Sequence, residues 1–418
     1  MAINAANSRP LRIMCAVSAW PSHWFPLVPV LWALRAAGHE VRVACAPSQA
    51  TPLTRAGLSP APVLTELDMT FLARLRNVLD AQAGLWPYDW LPPHPVTSEP
   101  MRDLAEFGYA DFAKASQQKI ATPVARSGKA AVAFAESYRP DLVLLEPLAM
   151  EGLAAARTLG VPDAVHLWGP IGSAETDKDA KAVVEYPVTS FPGCRAAGTV
   201  TLDSVEHVID PCPADLAPAV GARNRLPMRY VPYNGPGFAS AAPAGDRPKV
   251  CVVWGNSLSV THGPRAFAVP AILDGLTGLD ADVVVVTGAR DRLPADLGPG
   301  VTVLSEVPLH LLLPGCAAVI HHGGAGCLMT AVSAGVPQVV LPTGMDQPVN
   351  AARLAATGAA IAIPRSLATP SAIRTAVDTV LQEPGYAAAA TKLARQCAER
   401  PTPADVAADL ADLARASR

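Results

Sequence analysis

The sequence predicts an α/β protein built as two doubly wound parallel-sheet domains that face each other across a cleft. Three observations predict it. Strand–helix–strand patterning recurs through the first half, a stretch with little to bury interrupts it near the middle, and the alternation then restarts more cleanly. The chain has 418 residues, too many for one ordinary core, and half of them are hydrophobic, enough to fill two.

The first half opens on an apolar run over 11–17, followed by a loop to residue 24. A helical pattern covers 26–37, with prolines confined to its start and Gly38 just past its end. A strand at 40–46 completes a unit that needs a right-handed crossover. The unit recurs as a strand at 141–145, a helix at 149–158 and a strand at 164–167. Between them, 68–138 is helical by periodicity except over 84–100, where Trp86, Trp90 and five prolines rule out a helix interior. These tryptophans suit either a core plug or the wall of a binding site.

Residues 235–248 are glycine-, proline- and alanine-rich and read as a linker between an acceptor-side domain, 1–234, and a second domain, 249–400. Strands are expected at 250–254, 282–287, 301–304, 317–321, 338–341 and 359–363. The tail, 401–418, carries Thr402 as N-cap, Pro403 at the first helical position and Asp405 in the first turn. That helix is expected to return to the first domain.

Composition excludes several function classes. A net charge of -3, with scattered charges making up 17% of the chain, offers no footprint for nucleic acid. No apolar run approaches the roughly 18 residues of a membrane span, and the polar first ten residues lack a secretory h-region. None of the eight cysteines forms a C-x-x-C pair, so buried thiols in a reducing compartment are expected, without disulfides or zinc. A cytoplasmic protein is the expectation.

The chemistry concentrates at 317–350. A buried strand ends at His321 and His322, and Gly323, Gly324, Ala325 and Gly326 then turn into a helix beginning near Cys327. Such a turn presents backbone N–H donors and the positive end of a helix dipole, which suits a diphosphate. The next strand end carries Asp346 and Gln347, a carboxylate and an amide suited to sugar hydroxyls. On the residues alone, HHGGAG also fits a turn that uses glycine for packing. Likewise His23, in the PSHWFP loop after the first strand, has the pKa range of a general base and equally suits a capping role.

The whole stretch HHGGAGCLMTAVSAGVPQVVLPTGMDQPVNAARLAATGAA resembles the donor-site signature of the family 1 glycosyltransferases with the GT-B fold. It is most similar to the branch that attaches deoxysugars to polyketide and related antibiotic aglycones. The likeness extends to WGNS at 254–257, VPLHLLLP at 307–314 and DPCP at 210–213 with MRYVPYNGP at 228–236.

The resemblance implies an inverting, metal-independent transfer of a sugar from a TDP- or UDP-sugar, TDP favoured, to an aglycone hydroxyl. It implies His23 as the base with Glu146 as its carboxylate partner. The diphosphate falls to Ser257, His322, Gly323, Gly324, Ala325, Gly326 and Cys327, the nucleobase to Glu306, Val307 and Leu309, and the sugar to Asp346 and Gln347. Trp24, Phe25, Trp86, Trp90, His166 and Trp168 are placed around the acceptor, and His262 at the border of the donor. Cys327 departs from the family's Thr or Ser, a loss of about 1.5–3 kcal/mol if that hydroxyl bonds the diphosphate. Glu306 stands where an aromatic residue is common. No cofactor is expected; a homodimer and a cytochrome P450-like helper protein are partners the family admits. A nucleotide-sugar 2-epimerase and a silent, glycosyltransferase-like partner protein are the alternatives.

Overall fold

The computed structural model describes residues 9–417 except 181–190, 193–198, 201, 222–223, 240–245, 289–292, 294–296 and 299. Cys194 and the middle of the expected linker lie outside the described residues. Two parallel sheets organise the chain. The first runs, in spatial order, through β3 (Pro60–Ala61), β2 (Glu40–Ala44), β1 (Arg12–Ala16), β4 (Leu142–Leu145), β5 (Asp163–His166), β8 (His207–Asp210) and β9 (Asn224–Pro227). The second runs through β12 (Val301–Ser305), β11 (Asp282–Thr287), β10 (Lys249–Val253), β13 (Ala318–His321), β14 (Gln338–Val340) and β15 (Ala360–Ala362). A small antiparallel pair joins β6 (Phe191–Pro192) to β7 (Thr199–Val200).

In both sheets the first strand of the half sits inside and the chain winds outward first one way, then the other. The reversal lies between β1 and β4 in the first sheet and between β10 and β13 in the second. Crevices at such reversals are where doubly wound sheets bind ligands. The strands read as near-continuous apolar runs because both faces are covered: β4 is buried at every position, as is β13. Strands β3, β8 and β9 are additions to the expected set.

Helices form largely where the pattern placed them. A one-turn helix, Pro21–Trp24, carries His23 where a loop was expected, and the first long helix, Val28–Ala36, is entered through a 3-10 turn at Phe25–Leu27 whose proline has no N–H to offer the ladder. Within 68–138, helices Met69–Gln82, Tyr109–Ser116 and Thr122–Tyr138 flank the aromatic loop. The last helix, Pro403–Ala416, opens with a capping box between Thr402 and Asp405. Its Val406, Ala407, Leu410 and Ala411 join the core formed by Ile13, Leu31 and Leu34, so the chain's end packs on the first sheet. Among the described residues, no helix is long and apolar enough to cross a membrane.

Candidate active site in the interdomain cleft

Parallel register builds the donor side. Val253 of β10 pairs with His321 of β13, so Gly255 and His322 leave the sheet side by side. The Gly255 N–H donates to His322 Nδ1 at 3.4 Å, which leaves the ring proton on Nε2. An added Cβ at Gly255 would stand 2.6 Å from this ring, and one at Gly324 would stand 2.7 Å from its Nε2. Both glycines are therefore required by close approach to His322. Burial lowers the His322 pKa to about 3, so the ring stays neutral and donates from Nε2.

The preceding histidine has a different task. His321 is fully buried, accepts the Gly323 N–H at 3.0 Å and bonds Gln338 at 2.7 Å. Gly323 turns at φ 92, a left-handed geometry that favours glycine, and its carbonyl accepts from Asn350 at 3.1 Å. Helix Ala325–Ala334 then begins directly on the cleft, two residues earlier than the sequence pattern placed it. Its N-cap, Gly324, has no side chain to occupy the first N–H groups. Those groups and the dipole remain available to an anion. Cys327 lines the same end, its thiol pushed up to about 12 by burial, so it offers a neutral S–H rather than a thiolate.

Gln347 spends its carbonyl oxygen on the N–H groups of Thr343, at 2.9 Å, and Gly344. Its amide nitrogen is thereby oriented as the donor. Asp346 accepts from Asn350 at 2.9 Å, and burial raises its pKa to about 6.

The same register logic builds the opposite wall. Ala16 of β1 pairs with Leu145 of β4, so Ser18 and Glu146 emerge together. Glu146, 0% exposed, accepts the N–H of Ser18 at 2.8 Å and of Leu148 at 2.9 Å. The Ser18 hydroxyl also acts on this carboxylate, holding down the pKa that burial raises, and lies 3.4 Å from His23 Nδ1. The expected direct pair of His23 and Glu146 is thus corrected: Ser18 stands between them, because two backbone N–H groups hold the carboxylate at its strand end. A Ser18 hydroxyl turned toward Glu146 would take the His23 Nδ1–H on its oxygen and leave Nε2 a lone pair. His23 stacks on Trp168 at 4.5 Å, and burial lowers its pKa to about 3.

A cavity of about 500 Å³ joins the two walls. His23, Phe25 and Trp168 line it with Ser257, His322, Gly324, Ala325, Gly326, Cys327, Asp346 and Gln347. Met69, Leu72 and Leu148 add an apolar wall that the sequence reading missed. The signal lay in the apolar stripe of the helix at 69–82.

Other expected site residues lie elsewhere. Trp24 is 1% exposed, packs in the first core and bonds Gln49 at 3.1 Å, so it is a core residue rather than an acceptor contact. His166, 0% exposed, bonds the Leu167 carbonyl and faces no cleft. Val307 is buried in the core behind β12 with Leu309 against it, and Glu306 is exposed; none of the three lines the cavity.

Trp86 and Trp90 do not line the cavity either; they bind the halves together. Trp86 stacks on His262 at 5.5 Å, Trp90 bonds the His262 carbonyl at 3.1 Å and Tyr88 bonds the Thr343 carbonyl at 2.8 Å. Asn77 and Arg74 reach the carbonyls of Thr261 and Val260 from the same side. A partly buried ion pair, Glu175 to Arg353 at 2.7 Å, adds a further tie between the halves.

Comparison with known proteins follows these lines. Residues 32–82 and 119–255 match the family model described as erythromycin biosynthesis protein CIII-like, N-terminal domain, and residues 270–413 match the corresponding C-terminal domain. The chain is 35% identical to 10-deoxymethynolide desosaminyltransferase of Streptomyces venezuelae over 97% of both proteins. It is 33% identical to L-demethylnoviosyl transferase of Streptomyces niveus, covering 96% of this chain and 98% of that one. Among solved structures it resembles the spinosyn rhamnosyltransferase SpnG complexed with thymidine diphosphate, with a TM-score of 0.72, 27% identity and coverage of 96% and 100%.

Proposed function

We propose a specific reaction from one premise: this chain belongs to the erythromycin biosynthesis protein CIII-like family and is a glycosyltransferase of antibiotic biosynthesis with the GT-B fold. The reaction is inverting transfer of a deoxysugar from a thymidine diphosphate sugar to a hydroxyl of a polyketide-like aglycone. The observation that carries it is one cavity lined by His23 on one wall and by an uncapped helix N-terminus on the other.

In this reaction the aglycone O–H gives its proton to His23 Nε2 while its oxygen bonds the anomeric carbon. The bond from that carbon to the diphosphate oxygen breaks on the opposite face, so configuration inverts. Burial lowers the His23 pKa to about 3, so the ring rests unprotonated at neutral pH. The imidazolium that forms is stabilised through Ser18 by Glu146, the role a carboxylate plays in catalytic triads. Charge growing on the diphosphate meets the N–H groups of Ala325, Gly326 and Cys327, the dipole and His322 Nε2–H. Such preorganised donors need no reorganisation as the charge develops. The proposed route uses these donors alone. Gln347 and Asp346 take the sugar hydroxyls, and Phe25, Met69, Leu72, Leu148 and Trp168 the apolar aglycone. An epimerase has no use for that wall or for His23. The thymidine diphosphate held by SpnG supports the thymidine nucleotide.

Release of thymidine diphosphate from its sugars, measured with and without added polyketide aglycones, tests the reading. Aglycone-dependent release is expected. Release with no glycoside formed would contradict it.

A further inference from the structure

The loop that presents Gln347 to the cavity is not held by its own half alone. Gln347 Oε1 accepts the N–H of Thr343 at 2.9 Å and that of Gly344 at 3.4 Å. Both partners are donors, so the amide oxygen faces the loop and the amide nitrogen is left for the cavity that Gln347 lines. The peptide joining Thr343 to Gly344 carries the second of these N–H groups. Its carbonyl end accepts the hydroxyl of Tyr88 at 2.8 Å, from the aromatic loop of the first half. A hydroxyl of one half and an amide of the other thus share one peptide group, and hydrogen bonds in such a chain strengthen one another.

The turn itself needs that hold. Met345 lines the cavity at φ 57, a left-handed conformation that is costly for a residue with a side chain. The Gln347 N–H closes the turn on the Gly344 carbonyl at 3.2 Å. An added Cβ at Gly344 would stand 2.7 Å from His262 Nε2, so the turn is pressed against a ring that Trp86 backs by stacking. Tyr88 stacks on Trp90 at 4.3 Å, and Trp90 bonds the His262 carbonyl. Burial pushes the Tyr88 hydroxyl up to about 12, so it keeps the proton that it donates. Asp346 is held differently: its partner is Asn350, on the helix that follows it in the same half.

We infer that Tyr88 is a positioning residue for the donor sugar: it fixes the turn at Thr343–Met345 from across the cleft and so aims the Gln347 amide at a sugar oxygen. The assignment rests on the nucleotide-sugar reading of the cleft. Sugar recognition is then divided between the halves. Asp346 reads the sugar from the second half alone, whereas Gln347 reads it with the first half in contact. The diphosphate seat at Ala325, Gly326 and Cys327 lies outside this chain of bonds, so the nucleotide binds without help from Tyr88.

The test is a double-mutant cycle in the full chain, with calorimetric affinities for thymidine diphosphate and for thymidine diphosphate glucose. Tyr88→Phe removes the hydroxyl and keeps the ring on Trp90. It should weaken the nucleotide sugar about 3- to 10-fold and leave the nucleotide within about twofold. Gln347→Ala should weaken the nucleotide sugar at least as much. Because Tyr88 acts through Gln347, adding Tyr88→Phe to Gln347→Ala should cost less than about twofold more. A Tyr88 loss that persists undiminished without Gln347, that falls equally on the nucleotide, or that is absent would overturn the assignment. No loss from Gln347→Ala, with the nucleotide still bound, would remove the sugar contact and the assignment with it. Failure of the unaltered chain to bind thymidine diphosphate would instead remove the donor-site reading itself.

Discussion

The two halves of the molecule share one topology and use it for opposite chemistry. Each sheet reverses its winding at the first and fourth strands of its half, and each reversal brings two loop residues side by side at or behind the cleft. In the first half they are Ser18 and Glu146, and the outcome is a side-chain relay ending on the His23 lone pair. In the second they are Gly255 and His322, and the outcome is a backbone cradle around a donating ring. The accepting wall is a chain of side chains, the donating wall mostly backbone that glycines leave bare around one ring. The difference teaches that the fold supplies position alone; the sign of the site is set by what replaces or omits a side chain there.

That contrast breaks most sharply at His23. His23→Ala should lower turnover by about 10²- to 10⁴-fold and leave thymidine diphosphate affinity unchanged in calorimetry. Unchanged turnover would remove the base. Gly324→Ala probes the other wall, since its Cβ would meet His322 Nε2 at 2.7 Å. Displacing that donor should weaken nucleotide binding about 10- to 100-fold, while aglycone binding, followed by quenching of tryptophan fluorescence, is spared. Loss of both ligands together would mean that the walls are not separable.

Ser18→Ala interrupts the relay without touching His23. A drop of about 10-fold in kcat with little change in either KM is the expected result; a KM effect alone would reduce Ser18 to a packing residue. The smallest effect is on stability. Asp346 titrates near 6 in the folded chain against an ordinary 3.8. Between those values the folded state holds a proton that the unfolded state has lost, so the linkage stabilises the fold at low pH and that gain is lost as pH rises through 6. Asp346→Asn should therefore melt about 1–4 °C higher than the unaltered chain at pH 8, and the gap should close near pH 4. Its nucleotide-sugar affinity should fall at both. A variant that melts lower at pH 8 would contradict the buried charge.

The architecture was legible because its signals are periodic. Alternating strands and helices, the proline-marked helix starts and the Thr402 capping box all report on backbone chemistry that tertiary contacts do not override. The glycine turn at the start of helix Ala325–Ala334 was legible for a similar reason: glycines at 323 and 324 announce backbone that a neighbour must approach closely. Side-chain direction was not. Trp24 and Phe25 are neighbours, yet one fills the core and the other lines the cleft. His166 and Trp168 differ in the same way within three residues. Trp86 and Trp90 looked like binding-site aromatics and instead clasp the second half, a contact spanning more than 170 residues that no local pattern encodes. Ser18 was invisible because a serine after a strand reads as an ordinary turn; only the register of β1 with β4 brings it to Glu146.

The central claim is that the anion seat and the base occupy opposite walls of one cavity. A crystal structure with thymidine diphosphate tests it most directly. Its diphosphate oxygens should lie about 2.7–3.2 Å from His322 Nε2 and from the backbone nitrogens of Ala325, Gly326 and Cys327, with His23 facing them across an open gap. A diphosphate bound elsewhere, leaving that helix N-terminus empty, would contradict the account.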